Sequence, residues 1–391
     1  MRTEERGMGR VWKARRPDRQ VLVSRISGIL HDHPVEDVVF TLVVAGRFLL
    51  PLLIPRFPLP AIIACLVLDA ADQTIFQAFG FDPPGYQNYD KAMDIFYLAI
   101  AYLAAMRNWD NLHAFAVARF LFYYRLAGAF LFEVTHERWL LLVFPNTFEY
   151  FFIAYELWRT RWRTRPVSQR AWILTAAFIW IFIKLPQEYW LHIAELDVTD
   201  TLHDYWWAWP LLIFLLLLLA AILWFGVRPR LPEPDHALRV VSDPVPDAVD
   251  TSAKLAAIHV AGGWVVSWMT LEKIVLVGVV SAIYGLFLPT VSLSTQDLFI
   301  AIGTLVALNA VITLLFSRRR WSIESAAIAV LVRLGVNVGM VWLIDFTLGR
   351  SGHGWTTFFF LCLISLMTTL HDRYQPVYAW RRAQEMDLRE A

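Results

Sequence analysis

The chain has 391 residues, of which 58% are hydrophobic and only 18% are charged, and its formal net charge is +1. This composition is typical of a protein that crosses a lipid bilayer several times, so it excludes an ordinary soluble domain. The basic residues are dispersed and form no stripe, so we expect the lipid bilayer, and no nucleic acid, as a partner.

Apolar segments follow one another along most of the chain. After a basic arm at 1–33, they cover residues 36–56, 58–78, 90–107, 112–133, 138–158, 171–194 and 205–227. A polar linker at 228–252 precedes four more, at 265–288, 295–317, 322–348 and 354–371. Since about 20 apolar residues cross the hydrocarbon core as a helix, the sequence predicts an all-α fold, a polytopic transmembrane helical bundle of about 10–11 segments. It has an N-terminal half (34–227), a C-terminal half (253–372) and a cytoplasmic tail (373–391).

The distribution of arginine between the loops predicts the orientation of the chain. Residues 159–170 include five arginines and are expected on the cytoplasmic side, whereas residues 195–204 contain no Lys or Arg and are expected outside. Of the 35 basic residues, five are lysines, which leaves 35 − 5 = 30 arginines. We interpret this bias as that of a bacterial genome, so the expected location is the bacterial inner membrane, with both termini cytoplasmic.

One loop conflicts with this orientation. A basic N-terminus inside the cell, followed by five complete crossings, would place residues 159–170 outside. Either the N-terminus departs from the positive-inside rule, or one early segment does not cross. We expect the second, with residues 112–133 lying in the interface or re-entering the membrane, because Arg119 and Arg125 make this the least favourable span.

Ionisable residues inside the apolar segments are the most informative feature of the sequence. The acids include Asp69, Asp72, Asp94 and Glu149, and the bases include Arg47, Arg119, Arg125 and Lys184. An ionised side chain at bilayer depth costs several kcal/mol, so such residues are usually buried among helices, paired and functional. The favoured interpretation is an intramembrane polar path that transports a charged or lipid-linked substrate.

Proline supports the same interpretation in two segments. Lys184 and Glu188 flank Pro186. In an earlier segment, Glu149 closely follows Pro145. A proline bends a helix and frees a carbonyl group, and a broken helix with a charge pair can line a transport path. The alternative in both segments is a local ion pair without a transport role.

Four aspartates lie on two consecutive predicted helices. Asp69 and Asp72 are three residues apart, and Asp90 and Asp94 are four apart, so each pair shares one helix face. A hairpin through the Gly- and Pro-containing residues 80–85 would bring the four carboxylates together. They would then need metal ions, protons or neighbouring cations, and oxygen ligands of this kind suit Mg²⁺ or Mn²⁺.

The spacing of these aspartates resembles a known enzyme signature. The pattern DxxD, 17 intervening residues and DxxxD over residues 69–94 is similar to that of the CDP-alcohol phosphotransferases, membrane enzymes that transfer a phospho-alcohol group from a CDP-linked donor. The resemblance implies that Asp69, Asp72, Asp90 and Asp94 form a metal site. It also implies that Asp94 is the catalytic general base.

Two alternatives to transport therefore stay open. One is a lipid phosphotransferase-like enzyme that depends on Mg²⁺ or Mn²⁺. The other is a non-catalytic assembly or scaffold protein, in which the acids pair with nearby bases to hold helices together. The candidate partners for such pairs are Arg47, Lys91, Arg107, Arg119 and Arg125. The motifs GxSxG, GxGxxG and the P-loop are absent, which argues against a serine hydrolase or an ATPase.

Overall fold

The computed structural model describes residues 34–79, 86–162, 167–193, 205–251, 254, 268–287, 326–348 and 355–390. Within these ranges the regular structure is helical and includes no strand, which confirms the all-α prediction. The basic arm at 1–33 and the predicted segment at 295–317 lie outside the described residues.

The helices of the N-terminal half are α1 (Pro34–Leu49), α2 (Pro58–Ala78), α3 (Tyr86–Asn108), α4 (Leu112–Thr135), α5 (Trp139–Val143), α6 (Thr147–Arg159), α7 (Gln169–Phe178), α8 (Leu185–Glu188) and α9 (Ala208–Ala221). A 3₁₀ turn at Leu50–Leu53 extends α1, and π-helical turns at Ile179–Lys184 and Tyr189–Ile193 flank α8. The later helices are α10 (Trp268–Phe287), α11 (Ala326–Leu348) and α12 (Trp355–Glu390).

Helices α1 and α2 form an antiparallel hairpin. The rings of Phe40 and Phe76 lie 5.6 Å apart, on the parts of the two helices that are distant from the turn. At the turn itself, Arg107 from the end of α3 donates a hydrogen bond to the carbonyl oxygen of Pro55 (3.1 Å). Pro34, at the start of α1, therefore lies at the opposite end of the bundle from this turn.

Hydrogen bonds join several loops at the end of the bundle where α3 finishes. Trp109 Nε1 donates to Glu156 Oε1 at the end of α6 (2.7 Å), and Asn111 Nδ2 donates to the carbonyl of Val167 before α7 (3.3 Å). Arg381 on α12 donates to the carbonyl of Trp109 (3.2 Å). Because the arginines of residues 159–170 belong to these loops, we call this the arginine-rich end.

Within the part of the chain that the structure describes, three helical stretches are long and apolar enough to cross a membrane, by length and composition: Pro58–Phe76, Leu112–Thr135 and Gln169–Glu188. Shorter apolar stretches occur at Val38–Leu53, Ala208–Leu218 and Ala326–Gly339. The stretch Leu112–Thr135 overlaps the segment that we expected not to cross. By length and composition, this stretch could cross the membrane completely.

The segment predicted as a continuous span at 138–158 is interrupted. Helix α5 ends at Val143 and α6 begins at Thr147, so each piece is shorter than a membrane crossing. Pro145 lies in the interruption, where its lack of an N–H group removes a helical hydrogen bond. Gly128 on α4 permits this arrangement, because any Cβ at position 128 would overlap the Cβ of Phe144.

The C-terminal helices pack against the N-terminal ones. Helix α12 contacts α3, α10 and α11, and α10 contacts α3 and α4. Tyr284 on α10 lies with its hydroxyl 3.7 Å from the Met93 sulfur on α3. The helix that contains the predicted segment 354–371 continues to Glu390, so most of the predicted tail is helical.

The polar linker lies against the arginine-rich end. The backbone N–H of Ser242 donates to the carbonyl of Arg56 in the α1–α2 turn (2.9 Å). Arg159 at the end of α6 donates to Asp243 Oδ2 (2.9 Å). The linker therefore connects the ends of separate helices.

Candidate functional site

Charged side chains of six consecutive helical segments lie at a similar depth. Counted from the arginine-rich end at 1.5 Å per residue, Asp69, Asp94, Glu149 and Lys184 are about 15–22 Å along their helices. The hydrocarbon core of a bilayer is about 30 Å thick, so in a bundle that crosses the bilayer this depth would correspond to its middle region. We call the charged and hydrogen-bonding residues at this depth the polar layer: Arg47, Asp69, Asp72, Asp94, Tyr97, Arg125, Asn146, Glu149, Lys184 and Glu188.

Arg47 forms the centre of one part of the polar layer. Its Nη1 lies 2.6 Å from Asp69 Oδ1 and 2.5 Å from Asp72 Oδ2 on α2. Its Nη2 lies 3.2 Å from Asp94 Oδ1 on α3. The side chains of Arg47 and Asp72 are 2% and 0% exposed, whereas that of Asp69 is 22% exposed. The Arg47 guanidinium thus connects α1 to both α2 and α3.

Acids outnumber bases among the described members of this group. Arg47 can contribute one positive charge, and Asp69, Asp72 and Asp94 can contribute three negative charges. Like charges in a buried site disfavour simultaneous ionisation unless protons or cations compensate. Buried carboxylates in such a group are common in proton and ion pathways.

Glu149 forms the centre of the second part. Its Oε1 accepts a hydrogen bond from the Tyr97 hydroxyl (2.6 Å), and its Oε2 accepts one from Asn146 Nδ2 (3.0 Å). Lys184 Nζ lies 3.7 Å from Glu149 Oε2 and 3.9 Å from the ring centroid of Tyr150. Glu149 is 2% exposed and Lys184 is 3% exposed. This ion pair joins α6 to the π-helical turn before α8.

Side chains satisfy the backbone groups at the α5–α6 interruption. The Tyr124 hydroxyl donates to the carbonyl of Val143 (3.0 Å), and Arg125 Nη1 donates to the carbonyl of Phe144 (3.0 Å). The backbone N–H of Asn146 donates to a Glu188 carboxylate oxygen (3.2 Å). Irregular backbone at membrane depth needs such partners, because lipid offers none.

Tyr97 connects the two parts. It is one helical turn beyond Asp94 on α3, so the two side chains share a face. Its hydroxyl contacts Glu149 on α6. The sequence analysis did not single out Tyr97, since a tyrosine in an apolar segment carries no charge pattern.

The structure brings most of the predicted residues together, with two exceptions. Arg119 lies outside the polar layer, where its Nη2 is 3.3 Å from Glu272 Oε2 on α10. The side chains of Tyr102 and Tyr123 also donate hydrogen bonds to Glu272. The side chain of Asp90 is outside the part of the chain that the structure describes.

A second charge group lies between the C-terminal helices. Asp372 on α12 receives Lys273 Nζ at 2.6 Å and Arg333 Nη2 at 2.8 Å. These contacts join α10, α11 and α12. Lys273, Arg333 and Asp372 are far apart along the chain, so their sequence positions did not indicate a shared site.

The aspartates predicted to hold a metal ion contact Arg47 instead where they are described. Among the residues that the structure covers, no three His, Cys, Asp or Glu side chains are arranged to hold a metal ion. The guanidinium uses carboxylate oxygens that Mg²⁺ or Mn²⁺ would need. Since Asp90 is not covered, the complete set of four aspartates stays a prediction.

No protein-family model matches this chain, and no curated protein or solved structure matches it either. The functional proposal therefore rests on the geometry and charge of the polar layer.

Removal of the Tyr97 hydroxyl should destabilise the protein. Tyr97→Phe deletes a donor to a buried carboxylate, which we expect to cost about 1–3 kcal/mol. The matched variant Tyr284→Phe removes a hydroxyl that donates to the weakly accepting Met93 sulfur, so its effect should be smaller. Thermal unfolding of both purified proteins in detergent measures the difference. Equal losses would contradict the assigned role of Tyr97.

Proposed function

We propose that this protein is a multi-pass transporter of a charged substrate in the bacterial inner membrane. The main support is that the polar layer lies about halfway along its helices, at the place where two helical segments are irregular. One is the interruption between α5 and α6, and the other is the π-helical region around Pro186.

Irregular helices of this kind suit transport. Discontinuous helices in transporters place backbone and side-chain polar groups near the bilayer midplane, where substrates and coupling ions bind. In this chain the interruption places Asn146 next to Glu188, and Glu149 next to Lys184 of the π-helical turn before α8. A scaffold would need paired charges, but it would not need irregular helices at the same depth.

A cavity supports access from one side. It measures about 450 Å³ and lies at the arginine-rich end, between linker residues 236–243 and the ends of α2 and α6. Glu156 lines this cavity and is two turns from Glu149 on the same face of α6. This face of α6 therefore leads from the cavity towards the polar layer.

Two features favour transport over metal-dependent phosphotransfer. The described aspartates contact Arg47, and their depth is greater than that of the aqueous interface, where a water-soluble CDP-linked donor would arrive. The enzyme would need these carboxylates to be released from Arg47 before they could bind Mg²⁺ or Mn²⁺.

The positive-inside rule places the arginine-rich end in the cytoplasm. Because Pro34 lies at the other end of the bundle, the first described helix would then begin on the outer side. This arrangement favours the alternative in which the N-terminus departs from the rule. With the N-terminus outside, every helical segment from α1 to α9 can cross the membrane, and the linker lies in the cytoplasm.

The accessibility of thiols tests the proposal. In a Cys362→Ser background, the native Cys65 is one turn from Asp69 on α2, and Asp69→Cys in a Cys65→Ser/Cys362→Ser background supplies a second probe. Transport requires water in the polar layer, so a charged methanethiosulfonate reagent should modify these thiols in liposomes. We expect rates at least about tenfold above that of a lipid-facing thiol, since only a hydrated thiolate reacts quickly.

Leu216→Cys, in the same cysteine-free background, supplies the lipid-facing control. Leu216 lies on α9 and is 57% exposed on the outside of the bundle. A membrane-permeant maleimide should reach all three thiols and so confirms that they are intact. Reaction of both α2 probes no faster than the control with the charged reagent would exclude a hydrated path.

A further inference from the structure

We propose that an alkali-metal cation binds at the α5–α6 interruption, with oxygen ligands from Asn146 and Thr147 and from the carboxylates of Glu149 and Glu188. This inference rests on the proposed transport function, for which the cation would be the coupling ion. It adds a ligand and its binding residues, which the transport proposal by itself does not specify.

Two buried oxygen atoms at the interruption carry the argument. Asn146 Oδ1 and Thr147 Oγ1 have no hydrogen-bond partner within the described structure, and the two residues are 5% and 1% exposed. The orientation of the Asn146 amide is set by its Nδ2, which donates to Glu149. Its oxygen is therefore an acceptor without a donor.

Asn146 is in contact with two carboxylates. The side chain of Asn146 contacts Glu149, and its backbone N–H contacts Glu188. A buried acceptor without a donor is unfavourable, so a water molecule or a cation is expected beside it. The neighbouring carboxylates favour the cation.

The charge of the whole polar layer points in the same direction. Its described side chains include five carboxylates (Asp69, Asp72, Asp94, Glu149 and Glu188) and three cationic groups (Arg47, Arg125 and Lys184). Carboxylates therefore outnumber bases among these described side chains. Lys184 Nζ lies 3.7 Å from the Glu149 carboxylate and so compensates one of the proposed ligands, whereas Arg125 donates to the Phe144 carbonyl.

The chemistry of the ligands favours a monovalent ion. The amide oxygen of Asn146 and the hydroxyl oxygen of Thr147 are neutral ligands, and transporters hold Na⁺ with neutral backbone oxygens at irregular helices near the bilayer midplane. Divalent and transition metals would require a denser set of charged ligands, and no such set occurs among the described residues.

Thermal unfolding in detergent tests the site without any transport measurement. The purified full-length chain is kept in choline chloride, which is replaced stepwise by NaCl or KCl at constant ionic strength. We expect a saturable rise in Tm with one or both alkali cations, because a ligand that binds only the native state stabilises it. Thr147→Val should raise the concentration for half of this effect at least about tenfold.

Thr368→Val is the matched control. Thr368 on α12 is also fully buried, with a hydroxyl oxygen that has no hydrogen-bond partner in the described structure, but it lies outside the polar layer. Its midpoint should equal that of the unmodified chain. Comparable Tm values of the two variants in choline would show that both fold.

Two outcomes would overturn the inference. A Tm that does not distinguish Na⁺ or K⁺ from choline means that water occupies the oxygens. An unchanged midpoint in Thr147→Val means that the cation binds elsewhere. Either result leaves the thiol accessibility of the polar layer as a separate test of transport, so failure of this site and failure of the transport proposal are distinguishable.

Discussion

Arg47→Leu should lower the stability of the protein by about 3–5 kcal/mol, the usual cost of removing one partner from a buried ion pair. The change leaves Asp69, Asp72 and Asp94 close together without the guanidinium that contacts all three. Since folded proteins are stable by only about 5–15 kcal/mol, the loss is a large fraction of the total. Thermal unfolding in detergent and the monodisperse fraction in size-exclusion chromatography measure it.

Two further variants separate the charge effect from the loss of side-chain volume. Adding Asp72→Asn and Asp94→Asn to Arg47→Leu removes the repulsion and should recover part of the Tm. Arg382→Leu changes an exposed arginine on α12 and should have little effect. If Arg47→Leu melts like Arg382→Leu, the guanidinium does not hold the three helices together.

Gly128→Ala should destabilise the α5–α6 interruption by about 1–3 kcal/mol, the usual cost of overpacking a well-packed core. The added methyl group would overlap Cβ and Cγ of Phe144, and the Cβ cannot move away without a backbone shift. The turn that positions Asn146 would move with it. Thermal unfolding gives the size of the effect, and thiol labelling at Asp69→Cys reports on the polar layer.

Gly335→Ala is the control for the glycine change. Gly335 is also helical, on α11, and a Cβ there would have no neighbour within 4 Å. Alanine should stabilise this exposed position by about 0.5–1 kcal/mol, because glycine loses more backbone entropy on folding. The two substitutions should therefore change Tm in opposite directions. A gain for Gly128→Ala would mean that α4 and the interruption are not in close contact.

The positions of most helices could be predicted from the sequence. The segment 58–78 coincides with α2, and 112–133 corresponds closely to α4. Both are long apolar runs that end at Pro, Gly or polar residues, and apolar length is a property of the sequence alone. The predicted continuity of 138–158 was wrong, although Pro145 indicated where the chain could break.

The partners of the charged residues could not be predicted in the same way. Several bases were candidate partners for Asp69, Asp72 and Asp94, and only the packing of α1 against α2 and α3 selects Arg47. Arg119 and Arg125 lie on one helix, yet they face different neighbours. Arg119 reaches Glu272, which is distant in sequence, and Arg125 reaches the Phe144 carbonyl.

The sequence by itself determined that this protein is helical, that it is apolar enough for a bilayer and that its segments contain buried charge. These properties depend on the order and polarity of neighbouring residues, so they can be inferred from the linear sequence. Only the tertiary structure decided that Arg47 lies among three carboxylates and that Tyr97 and Asn146 meet at Glu149. Those contacts depend on which helices pack together and at what depth. A side chain extends only a few angstroms from its backbone, so it contacts only residues that the packing places that close.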